Sequence, residues 1–253
     1  LLAGPASLFA AFMESLPWRL NDNLTVPLLS ATFLAGLREF DPERFAAAAP
    51  SLGLWLLLGV AVNSVLAFGF RSTGMVDRSG MIAGFCVGVL TLAFAGWPGF
   101  LVLISFFVLG SGATRLGLRR KERAGIAQEK RGARSARHAL ANCGVAVYLA
   151  FLVFSAMTPA TFALAFVCAY ATAAFDTVSS EIGQAYGGRP VLITTLRPVP
   201  AGTEGAVSWV GTLAGLAAAW VVCGVATGTG FLDSDRTAVV LAAAFIGSTA
   251  DSV

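Results

Sequence analysis

Apolar residues run along this chain in long windows, and nowhere do they alternate with polar ones in the manner of an outer-membrane barrel strand. The windows fall at about 51–70, 80–97, 99–117, 139–158, 159–176, 206–228 and 237–253. Each is close to the length a helix needs to cross about 30 Å of hydrocarbon. Shorter runs at 1–16 and 24–37 read as the last two helices of something upstream. Turns are signalled by GWPG at 96–99, TPA at 158–160 and TGTG at 227–230, so several helices are expected to form tight hairpins. The predicted fold class is all-α, a polytopic transmembrane helical bundle, because spanning helices satisfy their backbone groups internally.

Composition agrees. A hydrophobic fraction of 57%, a mean hydropathy of +0.77 and 12% charged residues exclude a soluble globular domain. The chain has 28 glycines, many inside apolar runs, which suits helices that approach through small residues. Cys86, Cys143, Cys168 and Cys223 lie in apolar windows without a CxxC spacing and read as small fillers. His138 is the single histidine and has no companion for a zinc site. The chain opens on Leu1 without a signal-peptide pattern and stops at ADSV while the helical pattern is running, so a fragment of a longer chain is expected.

Charge sets the orientation. The loop from Arg115 to Arg137 holds Arg115, Arg119, Arg120, Lys121, Arg123, Lys130, Arg131, Arg134 and Arg137, and such loops stay on the cytoplasmic side. Counting helices outward places Arg19, Arg71, Arg78, Arg189 and Arg197 on the same face and leaves Arg38, Arg44 and Arg236 opposite. The expected location is a bacterial-type inner membrane, multi-pass, with the chemistry at the cytoplasmic surface. NDNLT at 21–25, AFDTVSSEIG at 174–183, GTEGAVS at 202–208 and ADS at 250–252 all fall at that surface.

Ionisable residues at membrane depth are rare and mark candidate sites. Within 174–184 a continued helix puts Asp176 with Ser180, and Thr177 with Glu181, at i, i+4. Carboxylates about one turn apart with hydroxyls between them suit a hard cation such as Mg²⁺, which takes one or two carboxylates and keeps waters and substrate phosphates. A helix end whose acids and hydroxyls meet water is the plainer alternative. GTEGAVS precedes an apolar helix, an arrangement in which backbone N–H groups hold an anion, or simply a loop with an N-cap. No GxxxxGK[ST] occurs, which excludes a Walker-type loop. The basic loop is explained by topology and lipid headgroups, or by neutralisation of phosphate. Asn142 is a packing hydrogen bond or a ligand contact.

DTVSSEIG, LITT at 192–195, GTEGAVSWVGTLAG at 202–215, KERAGIAQEKRGARS running into ALAN at 139–142, and GSTADS at 247–252 occur in order. On these blocks, residues of about 50–253 resemble the integral membrane family, domain of unknown function 92, that contains transmembrane protein 19 and the phytyl-phosphate kinase of plant tocopherol synthesis. One departure is Ala206, where a glycine is expected after GTEG. MESLPWRLNDNLTVPL at 13–28 resembles the end of phytol kinase and dolichol kinase-like proteins, so residues 1–40 are expected to be the tail of an upstream polyprenol kinase-like domain fused to this one.

The resemblance implies transfer of a phosphoryl group from a nucleoside triphosphate, CTP first among them, to an isoprenoid monophosphate such as phytyl or geranylgeranyl phosphate. It implies Mg²⁺ on Asp176 with Glu181 or Asp251, and Asp176, Glu181 and Ser180 as the reacting set. Phosphate and nucleotide holders are then Ser179, Thr194, Thr195, Gly202, Thr203, Gly205, Ser208, Arg189, Lys121, Lys130, Arg131 and Asn142. The bilayer and a lipid phosphate are the expected partners, with no nucleic acid, and a homodimer stays open. A CTP-dependent cytidylyltransferase acting on a lipid phosphate is one rival. A transporter whose carboxylates coordinate ions is another.

Overall fold

The structure, a computed structural model, describes residues 22–72, 74–123, 125–126 and 134–252, with the side chains of 22–29 and 72 left aside. Residues 1–21, Lys130 and Arg131 therefore lie outside the described residues. In chain order the helices are α1 (Asp22–Glu39), α2 (Pro42–Ser72), α3 (Arg78–Leu116), α4 (Leu118–Arg123), α5 (Ala136–Ser155), α6 (Pro159–Tyr186), α7 (Trp209–Gly228) and α8 (Thr237–Asp251). Two short antiparallel strands, β1 (Val191–Leu192) and β2 (Ala206–Val207), sit between α6 and α7, pairing Val191 with Val207 and Leu192 with Ala206. The protein is an all-α polytopic bundle.

Among the described residues five helices, α2, α3, α5, α6 and α7, are long and apolar enough to cross a membrane. Seven windows were expected, and the difference has two physical sources. The first is α3, whose 39 residues would reach about 58 Å if straight. It reverses instead at Gly96, which sits at φ 63° and ψ −168° within GWPG, so one helix holds two of the windows. The proof of reversal is Arg134: a Cβ on Gly80 would collide with its carbonyl and one on Gly110 with its guanidinium, so both ends of α3 meet one residue. The second is α8, which has only 15 residues.

At one end of the bundle the α1–α2 turn lies beside the α5–α6 turn, with Asp41 N donating to Ser155 O at 2.9 Å and Met157 N to Glu39 O at 2.8 Å. At the other end α4 and Arg134 meet the C-terminal half of α6. The core is organised around α6, where Phe166, Tyr170, Ala171 and Ala174 are fully buried with Leu92, Ala146, Val222 and Val240 from its neighbours. Close approach of α6 and α7 depends on glycine: a Cβ on Gly211 would lie 2.5 Å from Ser179 O and 3.1 Å from Gly183 Cα. This crossing fixes the loop of 187–207 over the end of α6.

Candidate functional site

AFDTVSSEIG is helical throughout, because α6 continues ten residues past the expected window to Tyr186. Its polar residues therefore sit on a rigid element with defined faces. One face, with Asp176, Ser179, Ser180, Gly183 and Gln184, lines a cleft of about 1170 Å³. The loop closes a second wall with Arg189, Gly202, Thr203, Glu204 and Gly205, and α7 enters with Ser208 and Thr212. The third wall is the end of α8, with Ser248, Thr249, Asp251 and Ser252.

Asp176 is half-buried, and the Ser248 hydroxyl donates to its Oδ1 at 3.2 Å. Ser248 is itself fixed by helix geometry, and one turn on the Ser252 hydroxyl donates back to its carbonyl at 3.0 Å. Asp251, one turn from Ser248, is exposed and close enough to repel the Asp176 charge. Two carboxylates from separate helices thus face one space, a pairing that favours a cation between them. Among the described residues no group of three or more His, Cys, Asp and Glu gathers, so an all-protein cage is absent there. Two carboxylates with room for water and phosphate oxygen fit Mg²⁺ better than they fit Ca²⁺ or zinc.

The loop wall is built from backbone. Gly202 and Gly205 take φ of 90° and 72°, which lets the chain turn sharply twice within four residues. Gly205 also packs against the end of α8, since a Cβ there would lie 2.7 Å from Ser252 O. Thr203 Oγ1 closes its own turn on Pro200 O at 2.8 Å, while the amides of Glu204 and Gly205 donate to nothing among the described residues. Ser208 caps α7, accepting from Gly211 N at 3.1 Å, so the positive end of that helix opens on the cleft. Arg189 is the one cation among the cleft residues, against Asp176, Glu204 and Asp251.

The structure separates the expected residues into groups. Asp176, Ser179, Ser180, Arg189, Gly202, Thr203, Gly205, Ser208 and Asp251 share the cleft. Glu181 does not: its carboxylate pairs with the Lys121 ammonium, and both side chains are buried, at 4% and 2% exposure. The expectation of both as cleft ligands is corrected by helix geometry, which turns position 181 roughly 140° from position 176. Burial pulls the Lys121 pKa below its ordinary value. Around this pair Tyr186 Oη donates to Leu116 O at the end of α3, at 3.0 Å, and Arg120 of α4 stacks over the Tyr186 ring, clamping the α3–α4 junction to α6. Thr194 and Thr195 are exposed on the loop and do not line the cleft. Asn142 donates to His138 O at 3.0 Å along its own helix.

Sequence reasoning missed Ser248, Thr249, Thr212, Gln184 and Glu204. A signal existed for Ser248, which precedes Asp251 by three residues and so shares its helix face.

The profile of integral membrane protein DUF92 matches residues 61–253. An uncharacterized membrane protein of Synechocystis, sll0875, is 40% identical over 169 residues, 66% of this chain and 66% of that protein. Protein VTE6, chloroplastic, of Arabidopsis thaliana is 37% identical over 198 residues, 76% of this chain and 60% of its own length. An uncharacterized membrane protein of Methanocaldococcus jannaschii, MJ0933, is 32% identical over 167 residues, 66% of this chain and 68% of that protein. The aligned part of the chain thus spans just under two thirds of the first two relatives. No solved structure matches.

Proposed function

This chain belongs to the integral membrane protein DUF92 family, and we propose that it is a membrane kinase transferring the γ-phosphoryl group of a nucleoside triphosphate, CTP first among candidates, to an isoprenoid monophosphate. The observation that carries this reading is that Asp176 and Asp251 line one large cleft together with residues 204–205, whose amides have no acceptor among the described residues. One wall suits a cation and the other an anion, the two halves of a metal–nucleotide complex. The resemblance to the family containing phytyl-phosphate kinase supports the lipid phosphate as acceptor.

On this reading Asp176 and Asp251 would hold Mg²⁺, and the ion when bound neutralises charge on the transferred phosphoryl group and its bridging oxygen. The remaining work falls to the chain's own groups. Ser248 orients Asp176 by donating to Oδ1, leaving the second oxygen for the cleft. The amides of 204–205, the N-terminus of α7 and Arg189 hold phosphate oxygens. Phe175, Trp209 and Phe245 supply an apolar side to the same cleft, where the hydrocarbon of the acceptor meets protein. An oxygen of the acceptor monophosphate bonds to the γ-phosphorus as the bond to the β–γ bridging oxygen breaks, and the nucleoside diphosphate leaves. No side-chain nucleophile is needed, and the second ionisation of a phosphate monoester, near pH 6, already provides the attacking oxygen at neutral pH.

The test incubates membranes carrying the protein with γ-labelled CTP or ATP and geranylgeranyl or phytyl phosphate. Labelled isoprenyl diphosphate with release of nucleoside diphosphate is expected. Release of pyrophosphate with a CMP-linked lipid would replace the kinase by a cytidylyltransferase, and no labelled product from any donor–acceptor pair would remove the reading.

A further inference from the structure

A second feature concerns Arg134. Its backbone is pinned, donating to Met75 O at 3.0 Å and accepting from Asp77 N at 3.1 Å. Its side chain lines an apolar groove between α2, the two arms of α3 and the start of α5. There it stacks on Phe106 and Phe107, 5.3 and 5.9 Å from the ring centroids, and lies against Gly110. Among the described residues no carboxylate pairs with it. The carboxylate nearest along the chain contact, that of Asp77, is turned to Ser79 Oγ and Gly80 N. Burial lowers the pKa of Arg134, yet a guanidinium stays charged, so a cation stands in an apolar surround with ring faces for company.

The groove itself has a volume of about 90 Å³ and no acidic residue in its lining, which includes Leu66, Phe70, Met81, Gly84, Phe85 and Ile104. The groove lies between α2 and α3, two helices long and apolar enough to cross a membrane, and Gly84 of its lining is exposed. We propose that this groove is a site for one anionic phospholipid, its phosphate on the Arg134 guanidinium and a segment of one acyl chain along the apolar wall. Charge complementarity selects an anion, because the only other ionisable groups in the lining besides Arg134 are His138 and the thiol of Cys143. Its place between membrane-spanning helices selects an occupant that arrives from the bilayer. The groove shares no lining residue with the cleft of Asp176, so it is a separate site from the one read as catalytic.

The experiment uses the full chain, purified in detergent and stripped of lipid, and reads its thermal midpoint with added dioleoyl phosphatidylglycerol or dioleoyl phosphatidylcholine. Phosphatidylglycerol is expected to raise the midpoint by roughly 2–4 °C more than phosphatidylcholine. Arg134→Gln should abolish that difference and Arg134→Lys should keep part of it. Arg119→Gln combined with Arg123→Gln, two exposed basic residues of α4, should keep all of it. If Arg134→Gln fails to fold, Gly84→Phe carries the test, since a Cβ on Gly84 meets nothing within 4 Å and the ring fills the groove. Retention of the full phosphatidylglycerol effect in Gly84→Phe, or an equal effect of both lipids, overturns the proposal. A larger, Arg134-dependent effect of geranylgeranyl phosphate would overturn it too, by making the occupant a substrate.

Discussion

Asp176 and Glu181 stand five residues apart on α6, yet their surroundings are opposite. Asp176 faces a wide cleft, accepts a hydrogen bond from Ser248 and meets a second carboxylate, Asp251. Glu181 faces protein, is buried, and has a cation of its own in Lys121. A buried charge with a partner is a structural element, because its electrostatics are already satisfied. A carboxylate that shares space with another carboxylate and has no cation partner of its own leaves a place where a cation is favoured. On the proposed reading α6 has two duties: chemistry at one face and attachment of the basic α4 segment at another.

The largest effect expected from this contrast is on folding. Glu181→Gln leaves the Lys121 ammonium buried without its counter-charge, which costs about 3–5 kcal/mol of stability. Lys121→Met combined with Glu181→Leu should restore most of it, since apolar replacement of a whole buried pair is often neutral or better. The cost is pH-dependent with a definite sign. Burial holds the folded-state pKa of Lys121 below 10.5, and Glu181→Gln removes the charge that opposes this. Between the folded pKa and 10.5 the unfolded chain binds the extra proton, so stability rises with pH in that window. Thermal midpoints of Glu181→Gln and the parent should therefore converge as pH rises from the folded-state pKa toward 10.5. A gap that widens with pH would reverse the roles given to the pair.

Next in size is Asp176→Asn, with the opposite signature. The isosteric amide removes a charge that the cleft leaves unrelieved, so the thermal midpoint should hold or rise. Nucleotide-dependent labelling of the lipid phosphate should fall by roughly two to three orders of magnitude, the scale of losing one charge-stabilising group. An Asp176→Asn protein with parental activity would return Asp176 to the same structural class as Glu181.

Much of this was legible in the residues and some of it could not be. The helical bundle followed from window length, and the reversal at Gly96 from GWPG, because glycine and proline punctuate locally. The convergence of 174–183, 202–208 and 250–252 followed from counting spans between basic loops. What failed was the distinction between Asp176 and Glu181. Both are acids in one hydroxyl-rich helix, and only packing shows that Lys121, sixty residues earlier in the chain, claims the second. The loop between α6 and α7 was equally opaque, since its two-residue strands are held by pairing between Val191 and Val207 rather than by a periodic pattern.

A smaller effect separates orientation from ligation within the cleft. Ser248→Ala deletes the hydroxyl that donates to Asp176 at 3.2 Å and leaves both carboxylates in place. Hydrogen bonds to charged groups contribute about 1.5–3 kcal/mol, so activity should drop by roughly tenfold or somewhat more. Ser248→Thr, which keeps a hydroxyl, should recover part of it. If Ser248→Ala instead matched Asp176→Asn, the serine would be a ligand in its own right.

The smallest predicted effect belongs to the clamp and sharpens the comparison from the other side. Tyr186→Phe removes the hydroxyl that donates to Leu116 O while keeping the ring under Arg120. The loss is one partly exposed hydrogen bond, about 0.5–1.5 kcal/mol, and a few degrees in thermal midpoint at most for a chain of this size. Because Tyr186 lines no part of the cleft, turnover per folded molecule should be unchanged. If turnover fell in step with stability, α4 would have to act on the chemistry through α6. The two faces of that helix would then be one coupled device, with the Lys121–Glu181 pair as its hinge.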